Sequence, residues 1–128
     1  MTDDPRIARL ITLIQAAISP PPGARRVLLA LGLGMLCHAL FAVGVLSMIV
    51  AMFFGLSQSF GTVPWPWAIL ANAALIVQFP IAHSILLTKK GNGILQQLIP
   101  GPHGATLATT TYAIIASAQL LALFTLWT

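Results

Sequence analysis

Residues 27–56 contain no Asp, Glu, Lys or Arg, and that uninterrupted run decides most of what the chain can fold into. At about 1.5 Å per helical residue it is longer than a hydrocarbon core of roughly 30 Å. It therefore spans a bilayer with tilt or protrusion. Two further apolar runs follow, 65–88 and 106–128. A soluble domain carries about 25% charged residues; here 6% are charged and 58% hydrophobic, with a mean hydropathy of +0.94. So few charges cannot cover a water-facing surface. The sequence predicts an all-α integral membrane protein with three transmembrane helices.

Before the first span lies a different kind of segment. Asp4 is placed to cap a helix and Pro5 fits its first position, where the missing N–H costs nothing. Ile7, Leu10, Ile11, Ile14 and Ile18 recur at helical spacing, with Arg6, Arg9 and Gln15 off the stripe. About 14 residues are too few to cross a bilayer, so this helix is expected to lie in the interface or against the protein's own inner side. The stretch 19-SPPPG-23 then breaks the chain. The organisation is an interfacial amphipathic helix over 1–19 and a three-helix membrane domain over 20–128. No cleavable signal peptide is expected, because the first long apolar run begins only near Val27.

Charge orients the bundle. Arg25 and Arg26 precede the first span and Lys89 and Lys90 follow the second, while the linker 57-SQSFGTVP-64 has no charge. Basic residues on one side place that side in the cytoplasm, so the N-terminus is expected inside and the C-terminus in the periplasm of a bacterial inner membrane. Trp65, Trp67 and Trp127 suit the opposite interface. The same four cations are expected to meet anionic lipid headgroups. Nucleic acid is not an expected partner, because the bases flank apolar runs and form no groove-reading patch. The loop 89–104 reads as Gly- and Pro-rich, with a short interfacial turn over 94–99 and Gly91, Gly93, Gly101 and Gly104 as breakers.

Polar groups at bilayer depth each require an account. On the second helix Asn72, Ile76, Phe79 and His83 fall on one face. Pro80 frees the carbonyl of Ile76 and predicts a kink beside a shallow His83, at a pocket opening toward the basic end. Small and hydroxylated residues, Gly44, Ser47, Ala51 and Gly55 on the first helix and Thr106, Thr110, Ala113 and Ser117 on the third, read as packing seams, with Gln119 off the row. His38 and His83 are the two intramembrane imidazoles. Each could ligate a haem or a (bacterio)chlorophyll, although depths differing by about 9 Å argue against one haem between them. Hydrogen bonding across helices is the plainer role for both. Cys37 is the single cysteine, so no internal disulfide and no cysteine-pair metal site is expected.

Catalytic templates find little here. Ser84 beside His83 is no triad, since adjacent helical residues diverge by about 100° and no acid orients the base. No metal site is expected.

The motifs 72-NAALIVQFPIAHSILLTKK-90 and 110-TTYAIIASAQLLALFTLW-127 resemble the N-terminal part of the isoprenylcysteine carboxyl methyltransferase-like membrane proteins. That group includes NnrU-like proteins and methanethiol S-methyltransferases. The residues that carry the likeness are Asn72, Phe79, His83, Ser84, Lys89, Thr111, Tyr112 and Trp127. Ala108 and Thr109 stand where relatives often have Glu-Arg. The resemblance implies Asn72, His83, Ser84 and Tyr112 as pocket residues, and S-adenosylmethionine held by a C-terminal half with a His-Pro segment that these 128 residues lack. Three readings stand. The chain is a non-catalytic scaffold or accessory subunit packing with other membrane subunits, for instance of an energy-transducing or photosynthetic complex. Alternatively, it is the front half of an S-adenosylmethionine-dependent methyltransferase acting on a small thiol or isoprenylcysteine-like acceptor. Haem or pigment binding through His38 or His83 is the third.

Overall fold

The computed structural model describes residues 5–18 and 23–128, apart from the side chains of 16 and 17. The described residues are helical, without a β-strand: α1 (Pro5–Ile18), α2 (Ala24–Phe54), a 3-10 turn (Leu56–Gln58), α3 (Trp67–Leu86), α4 (Lys89–Leu98) and α5 (Gly104–Thr125). Three of them, α2, α3 and α5, are long and apolar enough to cross a membrane. The expected fold class is therefore the observed one, with a short helix ahead of three membrane helices. Along α1 the stripe of Ile7, Leu10, Ile11, Ile14 and Ile18 is exposed, as a helix that rests its apolar face in an interface requires. Asp4 and 19-SPPP-22 lie outside the described residues.

The element ends differ from the sequence reading, and local chemistry accounts for the differences. α2 takes in Arg25 and Arg26, both good helix formers, and stops at Phe54 because Gly55 adopts a φ of 72°. Such a left-handed residue commonly ends a helix. α3 begins two residues after Trp65, behind the cis Trp65–Pro66 peptide, and runs unbroken through Pro80. Its last helical residue is Leu86, because Thr88 is extended and caps the next helix.

The expected loop with a turn at 94–99 is instead a ten-residue helix starting at Lys89. The Thr88 hydroxyl accepts the Gly91 N–H at 3.1 Å, satisfying one of the donors a helix start leaves free. Gly91 and Gly104 are not breakers. A Cβ on Gly91 would stand 2.1 Å from the Ile85 carbonyl oxygen, and one on Gly104 would stand 1.9 Å from that of Gln96. These two glycines let α4 fold down on the end of α3 and the start of α5. Only Gly101, with φ 92°, does what a loop glycine does.

The last three residues leave the expected helix because their polar groups are bonded elsewhere. The Phe60 N–H donates to the Thr125 carbonyl at 2.6 Å, the Ser59 hydroxyl donates to the Trp127 carbonyl, and the Thr128 hydroxyl donates to the Val63 carbonyl at 2.9 Å. The 57–64 linker and the C-terminal segment thus clasp each other.

α5 is the centre. It packs against α2, α3 and α4, whereas α2 and α3 share no comparable interface. The membrane helices form a layer, α2–α5–α3, with α4 across the basic end. Among the described residues the buried side chains are few: Leu95, Ala108, Thr111 and Ser117. The buried row of α5 is Gly104, Ala108, Thr111 and Ser117. Of the face expected from sequence, Ser117 is buried but Thr106 is exposed. The phase differs because α5 answers to three neighbours at once.

Candidate functional site

α3 and α5 run antiparallel and are joined by three polar contacts spaced along their length. Near the tryptophan end, the Thr128 N–H donates to Asn72 Oδ1 at 2.9 Å and Asn72 Nδ2 donates to the Thr128 carbonyl. Midway, Gln119 Nε2 donates to Gln78 Oε1 at 2.6 Å and to the Gln78 carbonyl at 3.2 Å. Gln78 Nε2 returns a bond to the Gln119 carbonyl at 3.0 Å. Toward the basic end, the Tyr112 hydroxyl bonds His83 Nδ1. The His83 ring stacks on Phe79, with centroids 5.7 Å apart and planes at 26°. Groups that lipid cannot solvate find their partners on the facing helix.

Of the residues named from sequence, the fold joins His83 to Tyr112 and holds Asn72 at the far end of α3, on Thr128. Ser84 is exposed. Ile76, expected on the same face as Asn72 and His83, is 53% exposed; the α5-facing row takes Gln78 in its place. Gln78 was absent from the sequence reading and Gln119 was set aside as off the seam. A lone amide in each of two apolar runs was the available signal. It acquires meaning only when the antiparallel register brings the two together.

His38 sits on α2, exposed, with Nδ1 2.7 Å from the Gly34 carbonyl oxygen. A carbonyl only accepts, so Nδ1 is the donor in this contact, and Nε2 makes no hydrogen bond among the described residues. His83 and His38 are on the two outer helices of the layer and do not face one another across it. A carbonyl-held Nδ1–H is an arrangement that metal-ligating imidazoles also use. His83 likewise has Nδ1 engaged, by the Tyr112 hydroxyl.

Next to the His83–Tyr112 pair, a cavity of about 380 Å³ opens between the end of α3, the first turns of α4 and the start of α5. Leu86, Leu87 and Leu95 form apolar wall; Lys89, Asn92, Thr109 and Tyr112 supply polar groups. It lies just past the end of α3, beside Lys89 at the basic end. At the other end a larger recess of about 520 Å³, with Phe60, Val63, Leu75 and Leu126 in its wall, has Gln78 as its only amide. A third cavity of about 220 Å³ separates α2 from α5 near Ser47 and Ala51.

A phenol–imidazole pair next to a lysine-bearing cavity can hold an anion and pass a proton. It supplies no nucleophile with an oriented base. No protein-family model matches the chain, and no curated protein and no solved structure matches it.

Proposed function

We propose that the chain is a packing subunit of a larger membrane assembly, with its N-terminus on the cytoplasmic side of a bacterial inner membrane. One observation carries this reading: the His38 imidazole, well inside the longest span, is exposed and offers an unmatched Nε2. An imidazole nitrogen without a partner in hydrocarbon is costly. It is compensated when another helix or a bound group covers it. The open layer agrees, since α2 and α3 are each held only by α5 within the membrane. Arg25 and Arg26 at the start of α2 and Lys89 and Lys90 at the start of α4 support the orientation. The test is a photo-crosslinking residue at position 38 in native membranes. A discrete protein adduct is the expected outcome. A chain that yields lipid adducts alone, and sediments as a monomer in mild detergent, does not have this role.

The contact between His83 and Tyr112 beside an interfacial cavity favours a second reading, the front half of a membrane methyltransferase. In it, that pair would line the acceptor pocket, and S-adenosylmethionine would be held by further helices. The native protein, taken with its full measured mass, would then bind S-adenosylmethionine in equilibrium dialysis. Absence of binding removes this reading and leaves the first untouched.

A further inference from the structure

We infer that the cavity between α3, α4 and α5 is a binding site for one acidic phospholipid, its phosphate on Lys89 and its acyl chain along the leucine wall. The inference goes beyond the packing role and stands without it. Three features lead to it. First, the cavity lining holds both Lys89, Asn92 and Thr109, which a headgroup needs, and Leu86, Leu87 and Leu95, which a chain needs. Second, the cation there has no neutralising partner in the described fold. The two acidic residues of the chain are Asp3 and Asp4, so among the described residues no side-chain carboxylate exists to pair Lys89. Its counter-charge must come from outside those residues. Third, the position suits a lipid. α3 ends at Leu86, so Lys89 stands where headgroups lie, and the apolar wall begins on the membrane side of it. A volume of about 380 Å³ accommodates a phosphodiester head and the first part of a chain, while the rest of the lipid stays in the bilayer.

The hydrogen-bonding groups fit the same ligand. Lys89 offers three donors and Asn92 two, with the Thr109 hydroxyl a further donor. None of these three side chains makes a hydrogen bond within the described residues. The Thr88 hydroxyl is occupied, donating to the Ile85 carbonyl at 2.7 Å while capping α4. It fixes the first turn of α4 and so sets where Lys89 and Asn92 stand. Tyr112 closes the wall with its hydroxyl turned to His83. Lys90 does not line the cavity and serves as the internal control.

The experiment is native mass spectrometry and lipid titration of the full chain in detergent, with phosphatidylglycerol against phosphatidylcholine. Wild type is expected to retain one phosphatidylglycerol saturably. Lys89→Gln should weaken it about tenfold, as loss of a charge-assisted contact does. Thr109→Trp keeps every charge but fills the cavity, and should weaken it at least as much. Lys90→Gln should lose no more than the about fivefold effect of one surface cation. Equal losses from Lys89→Gln and Lys90→Gln, with Thr109→Trp unchanged, would mean diffuse headgroup attraction and overturn the site. Inorganic phosphate and glycerol phosphate separate the sources. If either binds as tightly as the lipid, the leucine wall contributes nothing and the lipid assignment is wrong. Melting temperatures of the three variants within a few degrees of wild type show that each loss is local.

Discussion

α5 is held on its two sides by different means. Toward α3 the contacts are hydrogen bonds made by side chains, to backbone at Asn72–Thr128, to backbone and side chain at Gln78–Gln119, and side chain to side chain at His83–Tyr112. Toward α2 the contact is close approach: Gly44 is buried, and a Cβ built there would lie 3.5 Å from the Ser117 carbonyl oxygen. No side-chain hydrogen bond crosses from α2 to α5 among the described residues. The hydroxyls of Ser47 and Thr125, both beside that interface, bond the carbonyls of Val43 and Leu121 on their own helices. Inside a bilayer, apolar burial does not pull helices together, because lipid is as apolar as leucine. The two solutions therefore have different consequences. Dispersion along a small-residue seam fixes how near two helices lie, and it is sensitive to volume. Amide pairs fix register, and they are sensitive to loss of one partner.

Volume at the α2 seam should give the largest effect. Gly44→Ala is expected to be tolerated, since its Cβ meets ordinary contact distances. Gly44→Leu forces atoms into the α5 backbone, and overpacking of this kind costs about 1–3 kcal/mol. It should lower the melting temperature in detergent. It should also speed alkylation of Cys37, which is half-buried on α2, while the α3–α5 contacts persist. If Gly44→Leu melts with wild type and Cys37 reacts at an unchanged rate, close approach is not what holds α2.

The two interfaces also differ in how far they can be read from the chain. The first-helix seam is visible as Gly44, Ser47, Ala51 and Gly55, because small residues at helical spacing are a local pattern. The α5 face is not, since its residues divide among α2, α3 and α4 and leave no single period. Apolar length revealed the spans to within a few residues. It failed at 126–128, where hydrogen bonds to the 57–64 linker override the helix. It failed again at α4, where Gly91 was taken for a breaker although the crossing over Ile85 demands it. The first is a contact between segments far apart in sequence, and the second depends on the angle at which α4 turns back on α3. In the candidate site, His83 and Tyr112 each stood out as a polar residue in an apolar run, but their pairing depends on the antiparallel register. The same register joins Gln78 and Gln119, the least conspicuous residues of all.

That makes the glutamine pair the sharper, smaller test of the comparison. Interhelical hydrogen bonds in membranes average about 0.6 kcal/mol and reach about 1.7, so each single change should cost less than Gly44→Leu. Gln119 Nε2 gives two of the three bonds and Gln78 Nε2 one. Gln119→Leu strips Gln78 Oε1 of its donor. Gln78→Leu leaves Gln119 with one acceptor, the Gln78 main-chain carbonyl. An unmatched amide in a part-buried site is penalised beyond the lost bond. Replacing both by leucine removes the unmatched groups together, so the double variant should be more stable than the sum of the singles predicts. A double-mutant cycle on detergent melts measures that coupling. A coupling near zero would mean that the amides meet without holding, and that the α3 side relies on shape as the α2 side does. A clear coupling, beside a Gly44→Ala that changes nothing, would show one helix gripped by volume on one side and by hydrogen bonds on the other.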